Sequence, residues 1–242
     1  MTNEEHLALA SRSGHIESVR SLISVTDPKA DDSQALRWAA RSGNKEIVEI
    51  LIPVSDPKAN ESGALLEAAR WGYKEIVEML IPFSDPMSTC SGALRAAAEN
   101  GHKNIVEILI PVSDPKANES GALREAARWG YKEIVEMLLP FSDPKENDSE
   151  ALRYAAGAGY EEIVELLAPV SDIELAINGL RSSEDAQILI RGTVAKIESF
   201  RSRVELDATT LRMSPTFREC VDQARSSSRE KMATQRAQAR RL

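Results

Sequence analysis

The stretch PVSDPKANESGAL occupies residues 53–65 and recurs letter for letter at 111–123. Its Ser-Asp-Pro core returns every 29 residues, as Asp27-Pro28, Ser55-Asp56-Pro57, Ser84-Asp85-Pro86, Ser113-Asp114-Pro115 and Ser142-Asp143-Pro144, and then as Ser171-Asp172, where Ile173 replaces the proline. Strict periodicity of this length marks a solenoid, in which a unit buries its apolar face only by stacking on its neighbours. Six units fit, with helical cores near residues 5, 34, 63, 92, 121 and 150. Residues 53–86 and 111–144 differ at two positions, Leu66 against Arg124 and Ile81 against Leu139, so the duplicated block is two units long.

Within GALLEAARWGYKEIVEMLIPF, residues 63–83, apolar and small side chains fall at Leu65, Ala68 and Ala69, and again at Ile76, Val77, Leu80 and Ile81. These spacings predict two helical faces separated by a break. Gly72, with Gly43, Gly101, Gly130 and Gly159 in register, is placed to end the first helix in a left-handed conformation. Pro53, Pro82, Pro111, Pro140 and Pro169 stop the second helix. Ser33, Ser62, Ser91, Ser120 and Ser149 are expected to cap the first.

The order Leu123, Ala126, Ala127, Gly130, Tyr131, Ile134, Val135, Leu138 and Leu139 resembles the ankyrin repeat, and the resemblance covers residues 1–172 in six in-phase copies. It implies an all-α, ankyrin-like solenoid of helix-turn-helix repeats. The Thr-Pro-Leu-His opening of that family is replaced by Gly-Ala-Leu-Leu at 63–66 and Gly-Ala-Leu-Arg at 121–124, so its side-chain network is expected to be missing. The period is also shorter than the family's usual ~33 residues. The missing residues fall in the connector, which predicts shortened turns in place of β-hairpin fingers.

The chain has 242 residues, 42% of them hydrophobic, and a formal net charge of −8. Its two cysteines, Cys90 and Cys220, lie in dissimilar segments and are expected to be free thiols of a reducing compartment. No window approaches a membrane span, residues 1–15 show no targeting pattern, and a cytoplasmic location is expected. His15 and His102 follow turn glycines and are explained by the repeat. With His6 they form no zinc spacing, and neither a phosphate loop nor a nucleophile elbow is present. No enzyme activity and no cofactor or metal are expected.

Charge is unevenly distributed. Residues 1–172 carry 17 basic and 29 acidic residues, whereas residues 173–242 carry 13 and 9. The second helices hold glutamates such as Glu75, Glu78, Glu133 and Glu136. The first helices hold Arg37, Arg41, Arg70, Arg95, Arg124, Arg128 and Arg153, together with Trp38, Trp71, Trp129 and Tyr154. In an ankyrin-like stack the first helices line the concave side, so the resemblance implies a basic, aromatic groove. Trp, Tyr and Arg are the types enriched at binding hot spots. A competing structural reading pairs these arginines with glutamates of the next repeat and packs the tryptophans between units.

An acidic or amphipathic protein segment suits such a groove, through paired guanidinium–carboxylate contacts. Nucleic acid is opposed by the acidic balance of the repeats. The expected role is a non-enzymatic scaffold, adaptor or inhibitor, and the near-identical units suggest a viral or bacterial array directed at a host factor.

Beyond residue 172 the period fails. Residues 173–213 predict a helical extension whose stripe, Ile190, Val194, Ile197, Arg201, Val204, Ala208 and Leu211, is spaced as in a coiled coil. It either caps the last repeat or drives homo-oligomerisation through residues 186–211. Ser214-Pro215 ends it, and residues 214–242 form a basic, polar tail that offers a third reading, nucleic-acid contact.

Overall fold

In a computed structural model, residues 2–180 and 183–213 are described, with the side chains of 201 and 203–213 left out. Cys220, the basic tail and the stripe positions Arg201, Val204, Ala208 and Leu211 lie outside the described side chains. Packing divides the chain into two units, Met1–Arg191 and Gly192–Leu242.

The first unit is a stack of helix pairs. Its first helices are α1 (Asn3–Ser13), α3 (Ala30–Arg41), α5 (Ala59–Trp71), α7 (Ser88–Glu99), α9 (Ala117–Trp129) and α11 (Glu146–Gly157). The second helices are α2 (Ile16–Ile23), α4 (Lys45–Leu51), α6 (Lys74–Leu80), α8 (Lys103–Leu109), α10 (Lys132–Leu138) and α12 (Glu161–Leu167). A seventh first-type helix, α13 (Ile173–Gly179), stacks on α11. No strand occurs among the described residues.

The periodic apolar residues build the core. In the third repeat Leu65, Ala68, Ala69, Ile76, Val77 and Leu80 are all at most 2% exposed, and the second, fourth, fifth and sixth repeats follow closely, while in the first Ser18 is exposed and Leu22 half-buried. Ile81 is the exception to expectation: it is only half-buried, because the α6 helix has ended at Leu80 and a 3₁₀ turn, Ile81–Phe83, carries the chain outward through Pro82. Alanine on α1, α3, α5, α7, α9 and α11 keeps these helices in close mutual contact, whereas consecutive second helices touch sparingly. Each buried leucine contributes roughly 1.5–3 kcal/mol, so the core supplies most of the stability and the polar contacts fix register.

The turn glycines serve two purposes. Gly72 adopts φ 82 at the end of α5, and a Cβ there would also meet the His102 ring at 2.7 Å. Tyr73, Tyr131 and Tyr160 lie in the same way against Gly43, Gly101 and Gly130. His102 Nε2 additionally bonds the Arg70 carbonyl at 2.9 Å, which gives this histidine a structural place. Each unit therefore inserts a side chain into the turn of the unit before it.

The connector differs from expectation. The serines do not cap their own helices. Asn60, Glu61 and Ser62 enter α5 as one left-handed turn, with φ of 50, 55 and 57, and the same turn recurs at 31–33, 89–91, 118–120 and 147–149. An N-cap residue needs extended backbone, which Ser62 lacks. Its buried hydroxyl instead accepts the Asp85 amide of the next unit at 2.8 Å. Ser33, Ser91, Ser120 and Ser149 accept the amides of Asp56, Asp114, Asp143 and Asp172 at 2.8–2.9 Å. The aspartate side chain closes its own turn, as Asp56 Oδ1 accepts from the Lys58 amide at 3.0 Å. Ser84 Oγ reaches back to the Pro57 carbonyl at 3.4 Å.

Where Ile173 replaces the proline, this pattern ends. The Asp172 carboxylate accepts from the Leu175 amide at 3.2 Å and caps α13 directly. A long helix, α14 (Glu184–Met213), follows. Within the first unit its Ala186 and Ile190 are buried, and farther along it Val194 and Ile197 are half-buried.

Two outcomes follow from the connector. Ser91→Ala leaves the Asp114 amide without its acceptor and is expected to cost about 1–2 kcal/mol in urea unfolding, roughly half of the about 2–5 kcal/mol expected of Leu123→Ala. Cys90 is exposed at φ 52, where a left-handed conformation is costly for any residue but glycine. Cys90→Gly is therefore expected to raise the thermal midpoint and Cys90→Val to lower it.

Candidate protein-binding face

The first helices present one side of the stack, and the 29-residue register decides what stands on it. Trp38 is equivalent to Glu67, Ala96, Glu125 and Tyr154, while Trp71 is equivalent to Ser42, Asn100, Trp129 and Ala158. The large aromatics thus fall into two clusters on either side of α7, whose Ala96 and Asn100 occupy the aromatic positions.

In the first cluster Arg12 lies 4.7 Å above the Trp38 ring, and Arg41 bridges Trp38 at 5.2 Å and Trp71 at 5.6 Å. The Trp71 indole donates to Glu67 Oε2 at 3.1 Å. Arg41 and Arg70 reach the same carboxylate at 4.0 and 3.4 Å. In the second cluster Arg128 lies over Trp129 at 5.6 Å and Tyr154 at 5.3 Å. Arg128 also pairs with Glu125 at 3.9 Å, and Arg153 with Glu150 at 3.7 Å.

Trp38 and Tyr154 are half-buried, whereas Trp71 and Trp129 are each 50% exposed. Arg95 has no ion pair among the described residues, and its Cδ lies against Gly121. Arg37 and Arg153 curl back to the first carbonyl of their own left-handed turns, Asp31 and Asn147, at 3.4 and 3.3 Å. Arginines do engage neighbouring repeats, as the structural reading holds, but Arg41, Arg70 and Arg128 remain at the surface with two indoles among them.

Assigning arginine to first helices and glutamate to second helices overlooks Glu67, Glu125 and Glu150. These sit on the first helices with side chains 17%, 12% and 17% exposed; Glu67 and Glu125 lie beneath Arg41 and Arg128 at 45% and 50%, whereas Glu150 pairs with Arg124 and Arg153, which are sunken like it. At Glu67 and Glu125 the carboxylates are sunken and the guanidinium groups outermost, so the outer layer there is cationic within an acidic domain. The same register gives Arg124 a partner that Leu66 lacks. The side chain at this position crosses a glycine of the next repeat, Gly92 in the case of Leu66. In the sixth repeat that glycine is Glu150, and Arg124 pairs with it at 3.5 Å.

A family model for ankyrin repeats, three copies long, matches the chain twice, over residues 7–90 and 94–178. The chain belongs to the ankyrin-repeat family. Ankyrin repeats are protein–protein interaction modules. No curated protein matches the chain. Among the described residues of this ankyrin-repeat protein no cluster of histidine, cysteine or carboxylate residues could hold a metal ion, and no helix is long and apolar enough to cross a membrane. On its opposite side Lys132 reaches Glu162 of the next repeat at 3.1 Å, and this hydrogen bond, with the glutamate's charge, raises the ammonium's pKa.

Tyr154 reports on the second cluster. Its hydrogen bond to Glu150, then burial, then the glutamate's charge raise the phenol above its usual range, against the opposing pull of Arg128 and Arg124. A raised phenol means that the folded state favours the neutral form. Its contribution to stability is complete below the usual phenol value of about pH 10 and is lost as pH rises through the folded value. Spectrophotometric titration, with Tyr154→Phe subtracted, is expected to place Tyr154 above that range, and Glu150→Gln to bring it down.

Proposed function

We propose that this protein is a non-enzymatic binding module whose first-helix face, the concave groove expected of an ankyrin stack, captures an acidic or amphipathic segment of another protein. The observation that carries the reading is the layering at Glu67 and Glu125, where carboxylates lie below and guanidinium and indole groups lie above. Half-exposed Trp71 and Trp129 offer flat apolar area, and the arginines beside them supply paired donors for carboxylates. Arg37, Arg41, Arg70, Arg95, Arg124, Arg128 and Arg153 set the sign of the partner. Arg41 and Arg128 are the foremost of them, because each spans two aromatic rings.

The role is that of a scaffold, adaptor or inhibitor that acts by occupying its partner's surface, and the duplicated units favour a viral or bacterial protein directed at a host factor. A cytoplasmic setting accords with the exposed free thiol of Cys90. Polyphosphate backbones are disfavoured, since residues 1–172 carry 17 basic against 29 acidic residues.

The test is capture of partners by the wild type and by the double variant Trp71→Ala, Trp129→Ala, followed by titration of the captured protein. Truncating two half-exposed indoles is expected to weaken binding at least about thirtyfold, the size of one hot spot, with little change in the unfolding midpoint. Equal affinity in a folded double variant would sink the proposal.

A further inference from the structure

The sixth repeat leaves a space that the third and fifth repeats fill. In register with Arg70-Trp71 and Arg128-Trp129 it carries Gly157-Ala158. A Cβ added at Gly157 would meet nothing within 4 Å. The next first-type helix, α13, ends at Gly179, and Leu180 just beyond it lines the gap. The result is a cleft of about 530 Å³ between α9, α11 and α13, a size suited to a small ligand or a short peptide segment.

Its chemistry is specific. Arg128 and Arg153 stand on its walls, with Tyr154, Ala158 and Leu180 supplying aromatic and apolar surface. Arg153 lies directly across the backbone of Gly179, where any Cβ would collide with it. That placement buries its Nε without a hydrogen-bond acceptor. The acidic group of the cleft is already satisfied: Glu150 takes the Asn147 amide at 2.6 Å, Arg124 at 3.5 Å and Arg153 at 3.7 Å. A buried N–H without an acceptor costs about 1–3 kcal/mol, and a guanidinium grips a carboxylate through paired bonds.

We infer that this cleft is an anchor site for a single carboxylate borne on a peptide, received between Arg128 and Arg153 with an apolar neighbour against Ala158 and Leu180. The inference deepens the reading of this face as a protein-binding surface by naming where an acidic residue of the partner seats. Neither Trp71 nor Trp129 lines the cleft, so failure here leaves the double-tryptophan test standing.

The probe is acetyl-leucyl-glutamyl-leucine amide, titrated into the full chain while the arginine Nε–H resonances are followed by NMR. The Arg153 Nε–H signal is expected to shift and saturate. The glutamine analogue, lacking the charge, is expected to bind at least about tenfold more weakly, the size of one charge-assisted hydrogen bond. Acetyl-leucyl-glutaminyl-leucine with a free C-terminus separates a terminal carboxylate from a side-chain one, and saturation by either supports the site. Ala158→Trp restores the residue found at Trp129, fills the cleft without touching the core and is expected to abolish the shift while leaving the fold intact. An unmoved Arg153 signal, equal binding of both fully uncharged and charged peptides, or the same shift in a folded Ala158→Trp variant would overturn the inference.

Discussion

One backbone amide per repeat holds this stack in register. The N–H of the aspartate in each Ser-Asp-Pro points back into the preceding unit and is taken by a buried serine hydroxyl, from Ser33 with Asp56 to Ser149 with Asp172. Such a bond contributes only about 1 kcal/mol, far less than the leucines and isoleucines it accompanies. Its direction is what the apolar core cannot supply, since alanine-lined helices would slide along one another at little cost. For the serine to face forward, three residues must adopt left-handed backbone, and the chain accepts that strain at five connectors.

The apolar architecture was legible in the sequence because it is periodic: Leu65, Ala68, Ala69, Ile76, Val77 and Leu80 recur in phase, and the turn glycines mark where one helix yields to the next. The serine's role was not legible, because its partner lies 23 residues away in another unit, whereas an N-cap is inferred from residues three apart. The left-handed turns were hidden for a different reason. Glu61, Cys90 and Asp148 share no intrinsic preference for that conformation, and tertiary packing selects it.

The candidate face was read in part. Its arginines and aromatics were visible, but they were grouped by helix instead of by register. Register makes Trp38 equivalent to Tyr154 and Trp71 equivalent to Trp129, and puts Ala96 and Asn100 at those positions in the repeat between, so the face resolves into two clusters, Trp38 with Trp71 and Trp129 with Tyr154, on either side of α7. It also brings out Glu67 and Glu125, whose positions under Arg41 and Arg128 make the surface cationic at its outer layer there, and Glu150, which is sunken together with its arginines. The cleft beside Gly157 and Ala158 could be found only as an absence, two small residues where the third and fifth repeats carry Arg-Trp.

The insertion of each post-glycine side chain into the preceding turn gives the stack an arrow. Tyr131 completes the turn of Gly101, and Tyr160 completes that of Gly130, never the reverse. During synthesis the unit that needs completing emerges first and the residue that completes it follows about one period later. Nearly every contact that joins repeats spans such a short interval, so the array can consolidate one unit at a time as the ribosome delivers it. A break in translation would then leave behind a shorter array with a single unfinished end, not a misassembled one.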